Sequence, residues 1–112
     1  MCLFKNGCKW VKYDTELIET VEVYGHTMCV SFVNGESKQL RDSVSRIEDE
    51  LEIHNFVKIN RSCMVNIDRI KNIKGCQLEL YSGKKMIVSM KRKPGVRKTW
   101  KEYLLYKSLP EK

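Results

Sequence analysis

Short strand-like runs, separated by tight-turn signals, most constrain what this chain can fold into. The turn signals are Asn6-Gly7, Asn34-Gly35 and Ser82-Gly83, and Asn-Gly in particular supplies the positive φ angles of a two-residue hairpin turn. β-branched and aromatic residues fill the runs around these signals, as is typical of strands. The runs span residues 3–5, 8–13, 18–24, 27–33, 36–40, 67–73, 76–80 and 85–89. This pattern predicts a mostly β fold of about eight to ten short, mainly antiparallel strands.

Two stretches have the apolar spacing of helices, at about 43–52 and 94–107. For the first helix, Asp42 is a candidate N-cap, and Ser45 with Glu48 forms an alternative capping box. The second helix begins near Pro94, because proline is suited to a first helical turn. The expected buried residues are Val44, Ile47 and Leu51 in the first helix, and Val96, Trp100, Tyr103 and Leu104 in the second.

The length of the chain sets its domain organisation. With 112 residues it is long enough for one core and too short for two. We therefore expect one domain over residues 1–107 and a frayed C-terminal tail over 108–112. No run of about 18 apolar residues is present, so the sequence predicts no membrane insertion. The polar N-terminus does not resemble a signal peptide, which favours a cytoplasmic location.

Little in the sequence points to catalysis or metal binding. The five cysteines are odd in number and widely spaced, which favours buried apolar side chains over disulfides or a zinc site. They are Cys2, Cys8, Cys29, Cys63 and Cys76. Neither His26 nor His54 has a catalytic partner motif, and His26, which follows a glycine, is interpreted from the residues alone as an exposed hairpin residue. We predict a protein that is not an enzyme and needs no cofactor or metal.

Charge is strongly segregated along the chain, whose formal net charge is +7. Residues 1–52 carry 6 Lys and Arg against 10 Asp and Glu, a net charge of −4, whereas residues 53–112 carry 15 against 4, a net charge of +11. The segment 80–100 has no acidic residue and contains Lys84, Lys85, Lys91, Arg92, Lys93, Arg97 and Lys98. Unmixed positive charge near a helix entry suits phosphate groups. Nucleic acid is the first candidate partner and an anionic membrane surface the second.

The segment 56–70 combines apolar residues with a short polar interruption. Asn60, Arg61 and Ser62 stand between the apolar runs, of which Ile59 and Met64 are the nearest members. One interpretation is an ordinary strand, turn and strand with a solvated Arg61. The other is a loop, held at both ends, that presents a cation to a polar partner with little loss of entropy on contact.

Taken together, these segments resemble the LytTR family of bacterial DNA-binding domains. The central match is F-V-K-I-N-R-S-C-M-V-N-I-D-R-I over residues 56–70, and E-L-I-E-T-V-E over 16–22 resembles the early strand of the family. Further matches, in order, are Gly25-His26, Asn34-Gly35, the helix that ends at Leu51, Ser82-Gly83-Lys84-Lys85 and Val88-Ser89. The resemblance covers about residues 3–105. It implies an elongated fold of about ten strands, normally the output half of a two-component response regulator that binds promoter DNA.

The resemblance also implies how such a domain binds DNA. Three loops reach the duplex: two enter successive major grooves, and one enters the minor groove between them. Carried over to this chain, the base contacts are His26, Asn60, Arg61, Lys91 and Arg92, with the choice between Lys91 and Arg92 left open. The implied backbone contacts are Lys58, Ser62, Arg69, Lys84, Lys85, Ser89, Lys93, Arg97 and Lys98.

This sequence departs from the family pattern at several positions. Asn60 stands where histidine is more frequent, Lys58 where arginine is usual, and Pro94 is less typical of its segment. No receiver domain accompanies the DNA-binding domain, so we expect either an excised domain or a stand-alone regulator. A homodimer on direct repeats of promoter DNA is a further expectation from the family.

Two alternative functions remain open at the level of sequence. One is a small basic β-protein that binds RNA by shape. The other is a protein-interaction module in which the acidic helix over residues 42–52 contacts a regulatory partner.

Overall fold

The computed structural model describes residues 1–108 and contains ten strands and two α-helices. In chain order these are β1 Cys2–Asn6, β2 Lys9–Tyr13, β3 Ile18–Tyr24, β4 Thr27–Phe32, β5 Ser37–Leu40, α1 Val44–Ile53, β6 Phe56–Asn60, β7 Cys63–Asn66, β8 Ile70–Lys74, β9 Gln77–Leu80, β10 Lys85–Ile87 and α2 Lys93–Ser108. This content confirms the predicted mostly β fold with two helices. Of the predicted frayed tail, Ser108 is the last helical residue, and 109–112 lie outside the described residues.

The strands form two antiparallel sheets and a separate hairpin. The larger sheet has the order β5-β4-β3-β7-β6, the smaller has the order β10-β9-β8, and β1 pairs with β2. Within the larger sheet, Val21 of β3 pairs with Val30 on one side and with Met64 on the other. The strand β7 therefore joins the β6–β7 hairpin to the β3–β5 meander.

Two hydrophobic cores lie on opposite faces of the larger sheet, with β7 between them. Met64 belongs to the core that α1 and the β1–β2 hairpin cover. Cys63 and Val65 belong to the core formed with the smaller sheet and α2. All four residues of β7 are buried, because successive side chains of a strand point to opposite faces and both faces are covered here.

One predicted strand begins later than its sequence indicates. Residues Ile67–Arg69 form a single turn of 3₁₀-helix, and β8 begins only at Ile70. Asn66 causes the break, since its side-chain oxygen accepts the Asp68 N–H at 3.1 Å while its amide nitrogen donates to the Ile18 carbonyl at 2.9 Å. An asparagine that hydrogen-bonds to its own backbone two residues on favours a turn over a strand.

The cap of α1 also differs from both predicted alternatives. Ser43 is the N-cap, and its hydroxyl accepts the Arg46 N–H at 3.3 Å. Asp42 instead joins α1 to the first hairpin. Its carboxylate accepts the Lys5 N–H at 2.7 Å and the Ser43 N–H at 2.8 Å, and it forms a two-pronged ion pair with Arg46 at 2.6 Å.

Two predictions of burial were wrong. Leu104 of α2 is 44% exposed. It lies one turn beyond Trp100, which together with Val96 packs in the core of the smaller sheet. Cys8 is exposed, since it follows the tight β1–β2 turn, and Cys29 and Cys76 are half-buried, which leaves Cys2 and Cys63 as the buried cysteines.

Replacement of Asp42 by asparagine is expected to reduce the free energy of unfolding at neutral pH by about 1.5–3 kcal/mol, the range for hydrogen bonds to charged groups. Burial raises the pKa of the Asp42 carboxyl, but the hydrogen bonds from Arg46, Lys5 and Ser43 outweigh burial and hold the pKa below its ordinary value. The stabilisation is therefore complete above the ordinary aspartate pKa and is lost as the pH falls through the lower folded-state value.

Urea unfolding followed by circular dichroism at neutral and acidic pH measures this effect. The matched control is Asp49→Asn, which changes an exposed carboxylate within α1. A difference between wild type and Asp42→Asn that stays constant down to strongly acidic pH would contradict the assignment.

Candidate nucleic-acid interface

Two turns of the larger sheet lie at the same end of the molecule. His26 lies in the β3–β4 turn and Arg61 in the β6–β7 turn, and both residues are exposed. The Val23 N–H donates to the Ser62 carbonyl at 2.8 Å, close to both turns. Because β3 runs antiparallel to both β4 and β7, the two turns lie at the same end of the strands of this sheet.

A third segment, between β10 and α2, is fastened beside these turns. The Ser89 N–H donates to the Ile59 carbonyl at 2.9 Å, and the Asn60 amide nitrogen donates to the Ile87 carbonyl at 3.4 Å. Lys91 and Arg92 follow directly and are exposed. The fold thus brings all three predicted DNA-contacting segments to one side of the molecule.

The β6–β7 turn is held rigidly around an exposed cation. Ile59 and Cys63 on either side of it are buried. The side-chain oxygen of Asn60 accepts the Ser62 N–H at 2.9 Å, so with its bond to Ile87 both polar groups of the Asn60 side chain are used within the chain. This geometry favours the interpretation of a loop that presents Arg61, with Asn60 as the residue that shapes it.

Three of the predicted backbone-contacting side chains have partners within the domain. Lys58 forms an ion pair with Glu48 at 2.7 Å, and Lys84 forms one with Glu22 at 2.5 Å. Arg69 lies near the opposite end of β7 from Arg61, and its guanidinium donates to the Glu16 carbonyl at 3.1 Å. The structure does not bring Arg69 together with the three segments.

The remaining predicted backbone contacts are accessible to a partner. Exposed members are Lys85 and Lys98, and half-buried members are Ser62, Ser89, Lys93 and Arg97. Lys93 is the first residue of α2, and Arg97 and Lys98 follow one turn later. The first turns of α2 therefore continue the positive charge of the segment that carries Lys91 and Arg92.

The model of the LytTr DNA-binding domain family matches residues 8–101 of this chain. The chain belongs to the LytTR family of DNA-binding domains. Its structure is also similar to the LytTr DNA-binding domain of a methyl-accepting/DNA response regulator from Bacillus cereus, with a TM-score of 0.70 and 20% sequence identity. That match covers 87% of this chain and 93% of the other, and at such low identity it shows the shared fold. Among curated proteins no match is found.

Sequence reasoning missed Glu22, which connects the two sheets of the LytTR domain beside the candidate interface through its ion pair with Lys84. Glu22 accepts hydrogen bonds from Lys84 and Tyr24, and these residues line a groove of about 370 Å³ together with Asn60 and Ser62. Burial raises the pKa of the Glu22 carboxyl, but these hydrogen bonds outweigh burial, and the pKa lies below its ordinary value. The bond to Glu22 in turn raises the pKa of Tyr24 to about 12. Glu22 therefore stays ionised at neutral pH and holds Lys84 in place.

Two of the four carboxylates of α1, and Asp42 just before the N-cap of this helix, have partners within the LytTR domain. Glu48 pairs with Lys58, Glu50 accepts the Leu3 N–H at 3.2 Å, and Asp42 pairs with Arg46. Asp49 and Glu52 are exposed.

No helix within residues 1–108 is long and apolar enough to cross a membrane.

Proposed function

We propose that this LytTR domain binds double-stranded promoter DNA in a sequence-specific manner and regulates transcription. The observation that supports this most strongly is the placement of three segments with exposed cationic or histidine side chains at one end of the fold. Separate loops on a rigid sheet suit successive positions along a duplex. A basic surface without such loops would bind nucleic acid through charge alone.

In this proposal the bases are contacted by His26, by Arg61 and by either Lys91 or Arg92. Arginine and lysine can donate to O6 and N7 of guanine in the major groove, and arginine also favours the negative potential of a narrow minor groove. Because Asn60 and the buried neighbours already hold the turn, the backbone around Arg61 would lose little entropy on such contact. Asn60 takes a positioning role, with a base contact as a second possibility only if its bond to Ile87 opens.

We assign backbone contacts to the accessible cations and hydroxyls near these loops. These are Ser62, Lys85, Ser89, Lys93, Arg97 and Lys98. For Lys58 and Lys84 we propose a positioning role, since each is already paired with a carboxylate. Arg69, near the far end of β7, is proposed to stabilise the fold through its bond to Glu16.

The cellular setting is part of the proposal. The Bacillus cereus protein is described as a response regulator, which supports action of this domain in the bacterial cytoplasm as the output of a two-component system. Two copies on direct repeats of promoter DNA are consistent with that setting. A regulatory protein contact through α1 has less support, because two of its four carboxylates have partners within the domain.

Competition binding tests the choice between DNA and RNA. A labelled duplex DNA pool is displaced by unlabelled duplex DNA, single-stranded DNA or duplex RNA of the same length and sequences. We expect duplex DNA to compete most strongly, with a log-log salt slope of about −5 if six or so phosphates are contacted. Equal or stronger competition by duplex RNA would contradict the proposal and favour an RNA-binding function.

A further inference from the structure

Basic side chains from the acidic half of the chain line a groove beside His26. Residues 1–52 contain six Lys and Arg and carry a net charge of −4. Three of these six, Lys5, Arg41 and Arg46, nevertheless line one open groove of about 710 Å³ together with His26. The groove lies between the β1–β2 hairpin, the β3–β4 turn and the start of α1.

The backbone around Arg41 is pinned to the β1–β2 turn. Its N–H donates to the side-chain oxygen of Asn6 at 3.3 Å, and its carbonyl accepts the Gly7 N–H at 3.4 Å. The side chain is exposed and takes part in neither bond. Arg41 therefore offers a guanidinium from a fixed point of the backbone.

The single carboxylate among the lining residues of the groove does not cancel this charge. The side chain of Asp42 is 1% exposed and is paired with Arg46. Lys5 and Arg46 also lie over the ring of Trp10, at 5.7 and 5.2 Å from its centroid. With Arg46 neutralised by Asp42, the charges of Lys5 and Arg41 remain available to a partner.

We propose that this groove binds backbone phosphates next to the base contacted by His26, so that the β1–β2 hairpin is a fourth DNA-contacting element. The inference rests on the proposed function, because it requires His26 to approach DNA. Lys5 and Arg41 donate to phosphate oxygens, as lysine and arginine commonly do in protein–DNA complexes. Asp42 and Trp10 act as positioning residues, since they fix Arg46 and the hairpin at the edge of the groove.

Salt-dependent binding of single-charge variants tests the groove. The variants are Arg41→Ala and Lys5→Ala, and the matched control is Lys38→Ala, which removes an exposed lysine of β5 that does not line this groove. On a duplex that wild-type protein selects, each groove variant should bind about threefold to tenfold more weakly and flatten the log-log salt slope by about 0.9. Base preference should not change. Lys38→Ala should match wild type in both quantities.

Phosphate ethylation interference on the same duplex locates the contact. In wild type, ethylation next to the base contacted by His26 should block binding, and in Arg41→Ala that position should no longer interfere. Salt slopes and interference patterns equal to those of Lys38→Ala would overturn the groove assignment while the proposed function stands. Failure of wild-type protein to select any sequence would overturn the proposed function, and this inference with it. Because both side chains are exposed, urea unfolding of the variants should match wild type, which separates a binding loss from misfolding.

Discussion

Arg61→Ala is expected to weaken binding to the preferred duplex by about 1–3 kcal/mol and to relax the base preference at the contacted position, as loss of a direct base contact does. The reason lies in the geometry of the β6–β7 turn. Buried residues flank the turn, and Asn60 fixes its backbone, so truncation of the exposed side chain removes the contact without changing the loop. Binding isotherms on the preferred duplex and on point-substituted duplexes measure both effects.

Lys98→Ala is the matched control for this prediction. Lys98 is an exposed cation of α2, and its proposed contact is to the DNA backbone. Its removal should weaken binding to all duplexes alike. If Arg61→Ala also lowers the affinity for preferred and random DNA equally, Arg61 makes no base contact and the role assigned to it is wrong.

Met64→Ala is expected to lower the free energy of unfolding by about 2–5 kcal/mol, the range for large-to-alanine substitutions in a core. Met64 is fully buried and lies on the strand that separates the two cores. On one side of Met64 the strand β3 pairs with it through Val21, and on the other side β6 pairs with it through Lys58. A cavity there has little freedom to collapse, because covered strands fix the surrounding backbone.

Urea unfolding of Met64→Ala and of Met90→Ala measures this effect against a control of the same residue type. Met90 is 80% exposed, so its truncation should change stability by no more than about 0.5 kcal/mol. A loss below about 1 kcal/mol in the free energy of unfolding for Met64→Ala would contradict the prediction that packing of the Met64 side chain stabilises the fold.

Local sequence signals predicted most of the fold because hairpin turns and strand runs are local properties. Asn34-Gly35 lies between β4 and β5, Asn6-Gly7 marks the end of β1 one residue before the predicted hairpin turn is complete, and the apolar residues flanking Arg61 are buried. Besides the burial of Leu104 and of three cysteines, the errors concern the ends of elements, where competing hydrogen bonds decide. Asn66 ends β7 through bonds to its own backbone and to Ile18, and the Ile18 partner, 48 residues away, has no signal in the local pattern.

The candidate interface was predictable only in part, because contacts between residues distant in the sequence leave no local signal. The segments with His26, Arg61 and Lys91 were identified from the sequence, whereas the pairing of Lys84 with Glu22 depends on how the two sheets pack. Charge summed over residues 1–52 also concealed the groove of Lys5 and Arg41. Lys5 and Arg41 are 36 residues apart in the sequence and line one groove only in the folded domain.

Selection of bound duplexes from a random DNA pool at physiological salt, with wild type and Arg61→Ala side by side, tests the central claim most directly. The account predicts that wild type recovers a short motif, repeated about one helical turn apart if two copies bind, and that this motif loses definition in Arg61→Ala. Recovery of no motif by wild type, with binding that follows only charge and salt, would contradict sequence-specific binding by this domain.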